Sequence, residues 1–154
     1  MSASLDTDPV TSFKIVKETS IAAPIDIVFQ ALLDELGPES QMPDGKPFPM
    51  KIEPWPGGRW FRDLGNNTGH LWGHVQVIKP PALVEICGPM PMSYPAINHV
   101  QYRLTAQGAG TLLKFTHQAM GLINPDHRDH MPEGWEFKLG HIRQLAESRA
   151  AKKH

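Results

Sequence analysis

From Phe13 to Ile21 the chain alternates, with Phe13, Ile15, Lys17, Thr19 and Ile21 on one side and Lys14, Val16, Glu18 and Ser20 on the other. That period of two predicts an edge or half-buried strand. The period then changes. Pro24 stands at the position a helix start favours, and Ile25, Val28, Phe29 and Leu32 recur at intervals of three and four, placing one apolar stripe against a sheet until Leu36-Gly37-Pro38 stops it. Residues 39–48, rich in Pro, Gly, Asp, Met and Gln, read as a long connection with a short helical turn, forming one rim of any cavity. Strands are expected at about 48–53, 59–65, 68–79, 82–88, 96–106 and 111–118. Asn66-Asn67, which can take positive φ, reads as a hairpin tip, and Gly108-Ala109-Gly110 as another. The last segment, from Pro132 to about Ala151, reads as a long helix: Glu133 and Glu136 lie near its start, and Arg149, Lys152 and Lys153 near its end. Its inward stripe is Trp135, Leu139, Ile142 and Ala146, with Phe137 off that stripe.

Alternation also proposes which side chains face inward. Around Tyr102 the inward set is Val100, Tyr102 and Leu104, leaving His99, Gln101 and Arg103 outside; on the last strand it is Leu113, Phe115 and His117, with Lys114 and Thr116 outside. Glu85, between Val84 and Ile86, points to solvent. In the Trp-rich hairpin two registers are open: a three-residue loop sets Trp60 opposite Trp72, a two-residue loop sets Phe61 there, and the slip exchanges faces. In either case His70, Trp72 and His74 share a face.

Composition narrows the function classes. A chain of 154 residues with 40% hydrophobic positions fits one domain, expected over 12–154 behind a disordered tail of 1–11. Lys and Arg total 15 against 16 Asp and Glu, so no field attracts a nucleic-acid backbone or an anionic membrane. No window reaches the ~20 apolar residues of a membrane span. One cysteine, Cys87, precludes an internal disulfide, and a start without a charged and apolar leader makes the cytoplasm the expected compartment. Phosphate-loop and dinucleotide fingerprints and the Gly-x-Ser-x-Gly elbow are absent, so no cofactor is expected. No metal site is expected either. His70 and His74 lie roughly 13 Å apart on a strand, and Pro132 and Gly134 argue against a helical turn joining His127 to His130.

The run Glu53-Pro54-Trp55-Pro56-Gly57-Gly58-Arg59-Trp60-Phe61-Arg62, a Pro-Gly-Gly turn feeding an aromatic strand, points further. It stands in order with Ile21-Ala22-Ala23-Pro24, Lys79-Pro80-Pro81, Gly110-Thr111, Leu113-Lys114-Phe115-Thr116-His117 and Gly134-Trp135. From about Phe13 to the last helix the chain resembles the START-like (SRPBCC) superfamily, in its activator of heat-shock-protein ATPase homologue-like branch. The resemblance implies an α+β helix-grip fold, also seen in Bet v-like proteins: a curved antiparallel sheet of six or seven strands wrapped around a long carboxy-terminal helix. It also implies a cavity between them. Placed on that cavity, alternation and helical spacing give as candidate ligand-binding residues Trp60, Trp72, His74, Tyr102, Phe115, His117, Trp135 and Leu139, with Met90 and Met92 in a gating loop. No residue is assigned a catalytic role.

The leading expectation is a module that binds a small hydrophobic or aromatic molecule. The rival is a polyketide cyclase/dehydratase- or hydrolase-like enzyme using His74, Glu85 or His117 as acid and base. A third reading, a co-chaperone activating a heat-shock ATPase, is weakened because the extra amino-terminal domain of the eukaryotic co-chaperones is not in this sequence. The oligomeric state is open, a homodimer included.

Overall fold

In the computed structural model, which describes residues 3–153, the first two strands lie at opposite edges of one sheet. They are β1 (Thr11–Ile21) and β2 (Lys51–Ile52), and α1 (Ile25–Leu36) carries the chain from one edge to the other. From β2 the chain meanders back through β3 (Arg59–Gly65), β4 (Thr68–Lys79), β5 (Leu83–Gly88), β6 (Ala96–Gln107) and β7 (Gly110–Gly121), which closes beside β1. The seven strands stand in the order β1-β7-β6-β5-β4-β3-β2, antiparallel throughout. Then α2 (Pro125–Lys152) packs over the inner face together with α1. This is the expected helix-grip architecture with seven strands.

The inward sets on β1, β6 and β7 are as alternation predicts. Val100, Tyr102, Leu104, Leu113, Phe115 and His117 are all buried, and the five apolar ones pack in one core with Val28 and Leu32 of α1 and Leu139 and Ile142 of α2. Burying such side chains is worth roughly 1.5–3 kcal/mol each relative to leaving them in water.

Several boundaries differ from the sequence reading. Thr11, assigned to the tail, is already paired with Gly121; residues 3–10 are exposed and irregular. The connection after α1 holds no helical turn. It folds back on itself, with Gln41 bridged to Pro47 and the Met42 N–H donating to the Lys46 carbonyl at 2.8 Å. Helix α2 begins at Pro125, not at Pro132. Asn124 caps it, its Oδ1 accepting from the Asp126 N–H at 2.8 Å, and Pro125 occupies the first turn, where a missing N–H costs nothing. Pro132 deletes one backbone bond, but the turn before it is held by Met131, which packs against two apolar clusters.

The Trp hairpin takes neither simple register. Its tip is the two-residue loop Asn66-Asn67, both at positive φ, yet a bulge at Leu64 shifts the strands by one, and a second bulge at Trp72 shifts them back. Trp60 pairs with Gly73 and Phe61 with Leu71, so Trp72 is the extra residue and has no direct partner. The bulge exchanges faces beyond it. His70 and Trp72 are half-buried, whereas His74 is exposed, and the expectation that His74 shares their inward face is overturned.

Candidate functional site

A cavity of about 170 Å³ opens where the first half of α2 crosses the β3–β4 end of the sheet. Helix α2 contributes Met131, Gly134, Trp135, Phe137 and Lys138; the end of α1 and the loop after it contribute Glu35, Leu36, Ser40 and Pro43. The sheet side is Trp60, Trp72 and Tyr102, and the β5–β6 loop adds Met90 and Pro91. Trp60 and Trp72 meet edge to face with ring centres 5.1 Å apart. All three indole N–H groups are already engaged. Trp60 Nε1 donates to the Leu36 carbonyl at 2.7 Å, Trp72 Nε1 to His70 Nδ1 at 3.3 Å, and Trp135 Nε1 to His117 Nδ1 at 2.9 Å. What these rings offer a ligand is therefore apolar surface.

One end of the cavity is polar. Glu35 belongs to the apolar face of α1, three residues after Leu32, and its side chain is 4% exposed. Two residues one turn apart on α2 meet it. His141 Nδ1 hydrogen-bonds Glu35 Oε2, and Lys138 Nζ lies 3.3 Å from Oε1. Lys138 Nζ also donates to the Gln41 carbonyl at 2.7 Å and to Ser40 Oγ at 3.0 Å. Burial pushes the Glu35 carboxyl above the usual carboxylate range, and the Lys138 charge and the His141 hydrogen bond pull it part of the way back. Tyr102 lines the same space. Burial, and then the negative charge of Glu35, raise its phenol far above the ordinary value, so the hydroxyl keeps its proton.

Of the eight candidate residues, Trp60, Trp72, Tyr102 and Trp135 come together in the cavity wall. Phe115 and Leu139 are buried in the core that supports it, with Phe115 and Trp135 ring centres 4.3 Å apart. His117 is wholly buried behind Trp135 and does not line the cavity. Its Nδ1 accepts from Trp135, so Nε2 carries the proton and donates to Asn98 Oδ1 at 2.7 Å; burial depresses its pKa to about 4. His74 is exposed on the other face. Glu85 is on the outer face too, as the sequence indicates, with His99 Nε2 2.8 Å from its Oε1.

Of the two methionines placed in a gating loop, Met90 is buried and lines the cavity, whereas Met92 packs into a separate cluster with Ala119 and Ile123. Phe137, placed off the inward stripe, lines the cavity and stacks on His141 with ring centres 6.2 Å apart. Sequence reasoning missed Glu35, Lys138 and His141. The available signal was a carboxylate continuing the Val28–Leu32 stripe of α1 into the buried face. The second helix pair, His127 and His130, sits on α2 after all; His127 hydrogen-bonds the Tyr94 hydroxyl at 2.9 Å, and His130 Nδ1 the Asp126 carbonyl at 2.8 Å. Among the described residues no three His, Cys, Asp or Glu side chains cluster at a spacing that could hold a metal ion, and no helix is long and apolar enough to cross a membrane.

The model of the family described as activator of Hsp90 ATPase homolog 1-like protein matches residues 22–147. No curated protein matches the chain. Among solved structures, a protein of Rhizobium leguminosarum superposes with a TM-score of 0.71 at 18% identity, covering 93% of this chain and 99% of that one. Mll3558 of Rhizobium loti gives 0.69 at 22% identity, covering 89% and 99%. CalU16 of Micromonospora echinospora gives 0.61 at 20% identity, covering 96% and 91%. At these identities the likeness carries the fold.

Proposed function

The chain belongs to the activator of Hsp90 ATPase homolog 1-like protein family, and from that premise we propose that it binds a small, one-ring aromatic molecule in the cavity between α2 and the sheet. The observation that carries this reading is the wall itself: three tryptophans whose polar atoms are all satisfied enclose a space with hydrogen-bonding groups at only one end. Size sets the class. A volume of about 170 Å³ is close to the roughly 150 Å³ that accommodates benzene and below the roughly 300 Å³ where pockets for drug-sized ligands begin. A fused polyketide skeleton does not fit without movement of the Met90-Pro91 loop.

The cyclase- or hydrolase-like alternative is weaker because it loses the three residues the sequence offered it as acid and base. His74 and Glu85 lie away from the cavity, and His117 has both ring nitrogens committed to protein partners. The free thiol of Cys87 suits a reducing compartment, so we infer the cytoplasm as the place of action.

Gly134 supplies the test. It lines the cavity, and a Cβ built there meets nothing within 4 Å, so a larger side chain fills ligand space without striking the backbone. Titrating the protein with toluene should give saturable NMR shifts centred on the indole N–H signals of Trp60 and Trp72, and Gly134→Leu should abolish them while the protein stays folded. Absence of saturable shifts in the wild type, or shifts unaffected by Gly134→Leu, would overturn the reading.

A further inference from the structure

We propose that the polar end of the cavity is a recognition site for a neutral aromatic hydroxyl, so that the ligand class is a phenol and not an aromatic carboxylate; this rests on the reading of the cavity as a one-ring site. The case is a count of donors and acceptors. Lys138 has three N–H bonds and three protein partners, Gln41 O, Ser40 Oγ and Glu35 Oε1, at 2.7, 3.0 and 3.3 Å. No cationic donor is left for a ligand anion. Glu35 has acceptor capacity to spare, since a carboxylate offers about four lone-pair sites and only His141 and Lys138 occupy it. Tyr102 lines the same cavity and keeps its proton, so its hydroxyl is a donor there.

A carboxylate acceptor and a hydroxyl donor lining one small cavity match one functional group well. A ligand O–H can donate to Glu35 while its oxygen accepts from the Tyr102 hydroxyl. A ligand carboxylate would instead meet the Glu35 carboxylate across an apolar cavity, with Lys138 already matched to Glu35, and would lose its hydration without a counter-charge. A plain hydrocarbon fits the wall but offers the Tyr102 hydroxyl and the Glu35 carboxylate nothing to bond. Sites built around a buried hydroxyl partner discriminate strongly against analogues that lack it.

Calorimetric titration of the full chain with phenol, toluene and benzoate at neutral pH tests this, with Tyr102→Phe and Glu35→Gln alongside. The readout is the phenol-to-toluene affinity ratio, in which the differing hydrophobicity of the two compounds cancels between variants. Removing one hydrogen bond should lower that ratio roughly tenfold in Tyr102→Phe and by more in Glu35→Gln. Benzoate should not saturate the wild type. If Glu35→Gln fails to fold, Tyr102→Phe decides alone, because it keeps the ring. A ratio unchanged by Tyr102→Phe, or benzoate bound as tightly as phenol, would overturn the hydroxyl assignment and leave the cavity reading standing. If neither phenol nor toluene saturates, both fall.

Discussion

His117 shows how a buried polar residue can be structural. Trp135 donates to it, it donates to Asn98, and Asn98 Nδ2 donates onward to the Pro89 carbonyl at 3.2 Å, so one directed chain runs from α2 through β7 and β6 to the β5–β6 loop. Protonating Nδ1 would place a charge where no surface is exposed, which is why the pKa falls to about 4; it would also break the first link. The sign of the pH effect follows. The unfolded chain takes up the proton near pH 6.5 and the folded chain only near 4, so the contribution to stability is complete above 6.5 and is lost as the pH falls toward 4, by about 3 kcal/mol. Glu35 slopes the other way, since a carboxyl raised by burial loses stability as the pH rises through its folded value. The expected result is therefore a difference: urea denaturation between pH 7 and pH 4 should show His117→Gln losing about 3 kcal/mol less than the wild type. Equal losses would mean that the folded ring is protonated after all. That His117 faces inward was legible from alternation on β7 alone. Its partners were not, because Asn98 and Trp135 reach it from other elements, and nothing in a local period reports which side chains meet across a core.

At the scale of elements, glycines separate what was legible from what was not. The Pro-Gly-Gly turn stands out in the sequence, and the structure supplies its reason: a Cβ on Gly58 would lie 1.9 Å from the Glu53 carbonyl oxygen, and Gly57 sits at φ +84°. The same turn is clasped by Glu53, whose carboxylate accepts from Arg59 N, Nε and Nη2 at 2.8, 2.9 and 3.0 Å; these bonds hold its pKa at about 2. Gly140, on the exposed side of α2, has no such reason, since nothing lies within 4 Å of a Cβ built there. The two should respond to alanine with opposite signs: Gly58→Ala losing about 3 kcal/mol through the backbone clash, Gly140→Ala gaining about 1 kcal/mol from helix propensity. Thermal melts of the pair check this, and a destabilised Gly140→Ala would show that the outer face of α2 is covered by something. Bulges resisted prediction for the opposite reason. A bulge adds one residue to one strand without a fixed sequence mark, so the offset at Trp72 could not be read, and with it went the face of His74.

Across the whole molecule, the meander from one sheet edge to the other places β1 and β2 far apart and obliges α1 to span the gap, where it meets α2. Three polar ties join that pair of helices: the buried contact of Glu35 with His141 and Lys138, the surface pair Asp34–Arg149 at 2.8 Å, and the bond from the Ala22 N–H, just before α1, to Glu147 Oε2 at 2.9 Å. They are not equivalent. Arg149 and Asp34 are a third and a quarter exposed, so water and salt screen them, and Arg149→Ala should cost under about 1 kcal/mol. Glu35 and His141 are almost wholly buried, and removing the carboxylate leaves a ring nitrogen and a lysine without the partner they shared. Lys138, about a quarter exposed and still held by Ser40 and Gln41, can recover part of that loss. Glu35→Leu should therefore cost about 2 kcal/mol, more than the surface pair and less than an unrelieved buried charge. Joining Glu35→Leu with His141→Leu should cost less than the sum of the two single changes, because the second removes a partner the first had already orphaned. Urea denaturation of the single and double variants measures that coupling. Strict additivity would mean that Glu35 and His141 do not act on one another in the folded protein.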